Sequence, residues 1–104
     1  MPSEVRYSPL ALDDLDSIWK YISSELASPY AANETVGGIL ERVKLLATFP
    51  DSGTPLSSVT KYVGAGYRFV RSGNYLVFYR HEDAVYIDRI LNARQNWLHI
   101  LFED

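Results

Sequence analysis

The chain has 104 residues, 47% hydrophobic and 22% charged, with 8 Tyr, 4 Phe and 2 Trp; the length suits a single core, and the apolar and aromatic content rules out a disordered chain. Cysteine is absent and only two histidines occur, which excludes disulfides, thiolate metal sites and a cysteine nucleophile, so neither a metal nor a cofactor is expected. The net charge is −3, no apolar run approaches the ~20 residues of a membrane span, and Met1-Pro2-Ser3-Glu4 lacks a basic region followed by an apolar one, so one cytoplasmic domain over residues 1–104 with no membrane contact is expected.

Glu4 to Tyr7 is strand-like, and Ser8-Pro9 is a helix start, a hydroxyl cap followed by proline at the first helical position. Leu12, Leu15, Trp19, Ile22 and Leu26 recur at three- and four-residue steps and predict one apolar face, with Asp13, Asp16, Ser17, Lys20 and Ser24 opposite. Asp13, Asp14 and Asp16 read as solvated acids near a helix N-terminus, with no chemistry assigned. Ser28-Pro29 repeats the start signal, so the first helix ends near Ala27 and a second forms a hairpin with it. Ala32, Val36, Ile39, Val43 and Leu46 give the second helix its stripe, and Phe49-Pro50-Asp51-Ser52-Gly53 stops it. Gly37-Gly38 in its middle costs about 1 kcal/mol per glycine relative to alanine, which calls for close packing of the first helix or a kink.

Residues 51–66 read as a long loop. The period then changes to two: Tyr67 to Arg71 and Tyr75 to Arg80 flank Ser72-Gly73-Asn74, a hairpin signal, and His81-Glu82-Asp83 turns the chain into Val85 to Leu91. Strict alternation puts Val85, Ile87, Arg89 and Leu91 on one face of that last run and Tyr86, Asp88 and Ile90 on the other. The segment from Arg94, with Trp97, Leu98, Leu101 and Phe102, has helical spacing, but about nine residues are too few to stand without docking. The fold class is therefore α+β: an N-terminal strand, a two-helix hairpin packed on a mainly antiparallel sheet, a C-terminal three-stranded meander and a short C-terminal helix. The sheet face away from the hairpin is expected to be a shallow surface mixing charged and aromatic side chains.

Residues 1–60 hold four bases against eight acids, whereas residues 61–104 hold six bases, five of them arginines (Arg68, Arg71, Arg80, Arg89 and Arg94), against five acids. The second half is where an anionic partner would dock. Gly64-Ala65-Gly66 precedes a strand, where a phosphate loop would open a helix, so nucleotide binding is not expected. His81 lies at a turn and reads as solvated; His99, beside Trp97, could act as a general acid or base near neutral pH.

The order of elements, the junction Phe49-Pro50-Asp51-Ser52-Gly53, and the run Tyr67-Arg68-Phe69-Val70-Arg71 through Tyr75-Leu76-Val77-Phe78-Tyr79-Arg80 to Val85-Tyr86-Ile87-Asp88-Arg89-Ile90-Leu91 and Arg94 resemble the RelE/ParE superfamily of toxins from toxin–antitoxin modules. The resemblance spans nearly the whole chain and implies a cytoplasmic growth inhibitor whose partner is a cognate antitoxin. One branch, RelE-like, cleaves messenger RNA on the ribosome. On that branch Arg71 and Arg94 would stabilise transition-state charge and His99 would move protons, but its lysine pair has at most Lys61 here and its C-terminal tyrosine falls at Ile100. The other branch, ParE-like, inhibits DNA gyrase, and the YLVFYR and RIL segments resemble it more closely. The net charge points the same way, because a ribosome-docking protein must approach a polyanion. Gyrase is therefore the expected target, with the ribosome and mRNA as the alternative and a non-toxic protein-binding module as a third. Expected contacts with target or antitoxin are Lys61, Arg68, Arg71, Trp97, Leu101 and Phe102, with Arg68 and Arg71 meeting acidic antitoxin residues.

Overall fold

The computed structural model describes residues 2–61 and 66–102. The chain runs through β1 (Val5–Tyr7), α1 (Pro9–Lys20), a π-helical turn (Tyr21–Glu25), α2 (Pro29–Thr48), β2 (Thr54–Pro55), a 3-10 turn (Leu56–Ser58), β3 (Tyr67–Ser72), β4 (Tyr75–His81), β5 (Val85–Asn92) and α3 (Trp97–Phe102). Five strands form one mixed sheet in the order β1-β5-β4-β3-β2; β1 lies parallel to β5, and the other neighbours are antiparallel. The α+β expectation holds element by element. The loop over 51–66 is more ordered than composition implies, because it carries β2 and the 3-10 turn, while residues 62–65, including Gly64 and Ala65, lie outside the described residues.

Both serine-proline starts work as their chemistry dictates. The Ser8 and Ser28 hydroxyls accept from Ala11 N at 3.0 Å and Ala31 N at 3.1 Å, and each helix has proline in its first turn. Ala27, at φ 51, ends the connection between the helices.

Two expectations about packing fail. Along α1 and the π-helical turn the buried residues are Ala11, Ile18 and Ile22, with Leu15 packed against them, so Leu15 and Ile22 of the expected stripe hold while Leu12, Trp19 and Leu26 are exposed. The two stripes have the same period, and periodicity cannot choose between them; the small Ala11 side chain lets the helix lie close on the sheet. On α2 the expected stripe is buried at Ala32, Ile39, Val43 and Leu46 and half-buried at Val36, but Gly37 and Gly38 do not receive the first helix. A Cβ on Gly37 would meet nothing within 4 Å, and one on Gly38 only Ser72 Oγ at 3.6 Å.

A bulge in β5 overturns the alternation. Pairing passes from Phe78↔Arg89 to Tyr79↔Ile87, leaving Asp88 as the extra residue. Ile90 therefore joins Val85 and Ile87 in the hairpin-side core, and Leu91 faces the opposite cluster. The same irregularity explains Asp14, which is not solvated. Its carboxylate accepts from Arg89 Nε and Nη2, each at 2.8 Å, and from Ile90 N at 2.9 Å. β1 pairs only with residues 85–87 of β5, so Asp14 serves the backbone edge that β1 leaves open.

The sheet has two apolar clusters. The larger joins α1 and α2 to Val70, Val77, Tyr79, Val85, Ile87 and Ile90. The smaller, Leu56, Leu76, Phe78 and Leu91, is capped by α3, which packs Trp97, Ile100 and Leu101 against it. The far face is thus partly roofed and not simply open. Tyr79 ties the α2–β2 junction to the larger core: its hydroxyl donates to Pro50 O at 2.8 Å and accepts from Gly53 N at 2.9 Å.

Candidate functional site

Strand pairing sorts the basic residues of the second half. In β3, Arg71 is opposite Leu76 and Phe69 opposite Phe78, so Tyr67, Phe69 and Arg71 face the α3 side; Arg68, opposite Tyr79, faces the hairpin side. Arg68 and Arg71 therefore do not form one patch. Arg68 donates from Nη1 to Gly53 O at 2.8 Å, with Nε 4.0 Å from Asp51, and acts as a pin on the α2–β2 junction. Asp51 also lies 2.8 Å from His81 Nδ1, so His81 is half-buried and paired where the sequence suggested solvent.

Arg80 and Arg89 are neutralised in place. Arg80 reaches Asp88 at 2.8 Å and Glu82 at 2.7 Å and sits 5.2 Å from the centre of the Tyr86 ring; its pKa is raised, first by the hydrogen bond to Asp88. Arg89 is raised likewise by its hydrogen bond to Asp14. Five arginines in sequence thus become two cations available to a partner, because a guanidinium already forked onto a carboxylate has little left to offer a second anion.

Those two are Arg71 and Arg94. Both are exposed, and among the described residues neither has a carboxylate partner. Arg71 Nε donates to Gly73 O at 2.8 Å in the β3–β4 turn. Arg94 sits in the turn after β5, where Arg94 N donates to Asn92 Oδ1 at 2.8 Å, Asn92 N to Gln95 Oε1 at 2.9 Å and Gln95 N to Asn92 O at 3.0 Å. Ala93 N donates to Asn74 O at 2.8 Å, which laces the two turns together and brings both arginines to one end of the sheet. A groove of about 380 Å³ lies there, lined by Tyr21, Tyr75, Asn92, Arg94 and Gln95. Its walls supply guanidinium, phenol and amide groups, a combination that binds by charge, stacking and hydrogen bonds at once. Sequence reasoning found the arginines but not Tyr21 and Tyr75, whose positions depend on the π-helical turn and the hairpin register.

The remaining expected residues lie elsewhere. Trp97 and Leu101 are half-buried beneath α3, the Trp97 ring 5.3 Å from Phe78, while Phe102 meets Tyr67 edge-on at 6.1 Å and stays 37% exposed. His99 is exposed two residues past Trp97, and at about 100° per residue it points to roughly the opposite side of α3 from that ring. Lys61 is exposed after the 3-10 turn. Among the described residues no three His, Asp or Glu side chains group as a metal site, and no helix is long and apolar enough to cross a membrane.

Comparison with known proteins bears on what this surface serves. The family model described as ParE toxin of type II toxin-antitoxin system, parDE, matches residues 5–97. The chain is 34% identical over 95 residues to Toxin ParE1 of Caulobacter vibrioides, covering 88% of this chain and 90% of that protein. Among solved structures, one titled as the chromosomal ParDE TA system from P. aeruginosa superposes with a TM-score of 0.72 at 24% identity, covering 86% of this chain and 95% of the other, a likeness of fold.

Proposed function

The chain belongs to the ParE toxin family of type II toxin–antitoxin systems, and from that premise we propose that it arrests growth in the cytoplasm by binding DNA gyrase, with the turn end of its sheet as the contact surface. It is the toxin of such a pair, and an antitoxin is its partner. The observation that carries the gyrase reading is the placement of Arg71 and Arg94 at one end of the sheet, unopposed by carboxylates among the described residues, with Arg94 lining the groove that holds Tyr21 and Tyr75. Arginine and tyrosine dominate the energetics of protein interfaces. The net charge of −3 supports a protein target met through a local patch over a ribosome approached through its phosphates.

The antitoxin tail is assigned to the neighbouring α3 side. Phe102 and the rims of Trp97 and Leu101 offer apolar contact there, and Arg71 and Lys61 offer charge for acidic tail residues. Arg68, occupied by Gly53 O, contributes by holding the junction.

The test uses purified toxin. Inhibition of supercoiling, or trapping of gyrase-cleaved DNA, with ribosome-bound message left intact, is the expected result. Cutting of ribosome-bound message that disappears in Arg94→Ala and His99→Ala would assign the nuclease alternative instead; activity on neither target would leave a binding module.

A further inference from the structure

The turn that follows β5 holds two side-chain amides in a fixed orientation. Asn92 closes β5 opposite Tyr75, and its Oδ1 accepts from Arg94 N at 2.8 Å, the local turn that asparagine favours. Gln95 Oε1 accepts from Asn92 N at 2.9 Å. A backbone N–H can bond only to the oxygen end of an amide, so these two contacts set which way both side chains face. The oxygens are taken up inside the turn, and the Asn92 Nδ2 and Gln95 Nε2 groups are left to point away from it. Among the described residues neither of these NH2 groups has a protein partner, nor does the Arg94 guanidinium or the hydroxyl of Tyr21 or Tyr75.

All five of these residues line the groove of about 380 Å³ at the end of the sheet, and among the described residues no carboxylate lines it. Its unengaged side-chain groups are nitrogen donors and two phenols, which also donate; what the groove lacks is acceptors. A ligand that brings negatively charged oxygens satisfies such a surface, and charge-assisted hydrogen bonds of this kind are the strong ones. The volume lies near the lower end of small-ligand sites, ~300–1,000 Å³, which suits a single side chain and not a docked helix. The surroundings favour a carboxylate over a phosphate backbone. Tyr75 also walls a second groove, of about 260 Å³, whose lining includes Glu34. A nucleic-acid strand carries a charge about every 3.4 Å and would run from Arg94 past this acid on a chain whose net charge is −3, whereas one carboxylate meets only the donors.

We propose that this groove clamps one carboxylate of gyrase, the side chain of an Asp or Glu, with the Arg94 guanidinium forked onto its two oxygens and the Asn92 and Gln95 amides donating beside it. The proposal rests on the gyrase reading and names the chemistry of that contact; it makes Asn92 and Gln95 recognition residues as well as turn formers.

Asn92→Asp and Gln95→Glu test it, since each keeps the oxygen that accepts from the backbone and exchanges only the outward NH2 group for a second oxygen. Binding of the full-length toxin to gyrase holoenzyme is measured with and without DNA. Each single variant should weaken the complex by about tenfold and the pair by about 100-fold or more, through loss of donors and repulsion between like charges, with melting temperatures within a few degrees of the parent. Asn96→Asp, which adds the same charge at an exposed position outside the groove, should change affinity by less than about threefold. Unchanged affinity in Asn92→Asp/Gln95→Glu, with the parent binding gyrase, would overturn this proposal and leave the gyrase reading in place; absence of binding by the parent would overturn both. Equal weakening by Asn96→Asp would reduce the effect to net charge, and weakening confined to the DNA-bound enzyme would assign the groove to a backbone phosphate; either result overturns the carboxylate clamp.

Discussion

The two faces of the sheet are completed to different degrees. On the hairpin side, α1 and α2 seal Val77, Tyr79, Val85 and Ile87 entirely from solvent. On the other side the six-residue α3, with no buried residue of its own, covers Leu56, Leu76, Phe78 and Leu91 through half-buried side chains. The contrast separates labour: hydrophobic burial on the hairpin side holds the fold, and the thin α3 side together with the adjoining turns keeps arginines and aromatic rings within reach of partners.

The largest effect should come from emptying the sealed side. Ile87→Ala is expected to cost ~2–5 kcal/mol of unfolding free energy by urea denaturation, against roughly half of that for Trp97→Ala, whose ring is only half-buried. Equal losses would break the comparison, because α3 would then carry as much folding energy as the hairpin.

Next comes the junction between the two regions. Tyr79→Phe leaves Gly53 N–H and Pro50 C=O without their shared partner and should cost ~1–3 kcal/mol. Gly53→Ala should cost about the same, because its Cβ would run into the Tyr79 hydroxyl. The double variant Tyr79→Phe/Gly53→Ala should be less destabilised than the sum of the two; strict additivity would show that they do not share one lock.

Much of this architecture is legible in the sequence. Ser8-Pro9, Ser28-Pro29 and the alternating runs on either side of Gly73-Asn74 encode local geometry, and local geometry is what spacing reports. What stays hidden is decided by tertiary contact. Nothing in the spacing of Leu12 and Ala11 says which stripe meets the sheet, and the bulge at Asp88 reverses the faces of Ile90 and Leu91 through pairing with β4. Asp14 reaches Arg89 across 75 residues, so its role as an edge cap has no local signature. Of the site, the arginines could be found but not sorted, since only strand parity and ion pairing distinguish Arg71 and Arg94 from Arg68, Arg80 and Arg89.

A smaller effect follows from the tyrosines, which occupy both faces. Burial raises the phenol pKa of Tyr7 and Tyr79 on the hairpin side and of Tyr67 beneath α3 above the ordinary 10.0. The folded state therefore holds these protons more tightly than the unfolded chain, so stability is full below pH ~10 and is lost as pH rises through the folded values. Denaturation midpoints should fall between about pH 9 and pH 11, with a shallower slope in Tyr79→Phe. A flat profile over that window would show that the phenols are no more protected folded than unfolded.

If the turn end acts on the target and the hairpin side holds the fold, gyrase supercoiling measured with Arg71→Glu/Arg94→Glu beside Arg68→Ala will separate the two roles. The double charge reversal should abolish inhibition while leaving the melting temperature within a few degrees of the parent. Arg68→Ala should lower the melting temperature while the folded protein still inhibits. Full inhibition by a stable Arg71→Glu/Arg94→Glu protein would show that gyrase is not met through the turn end.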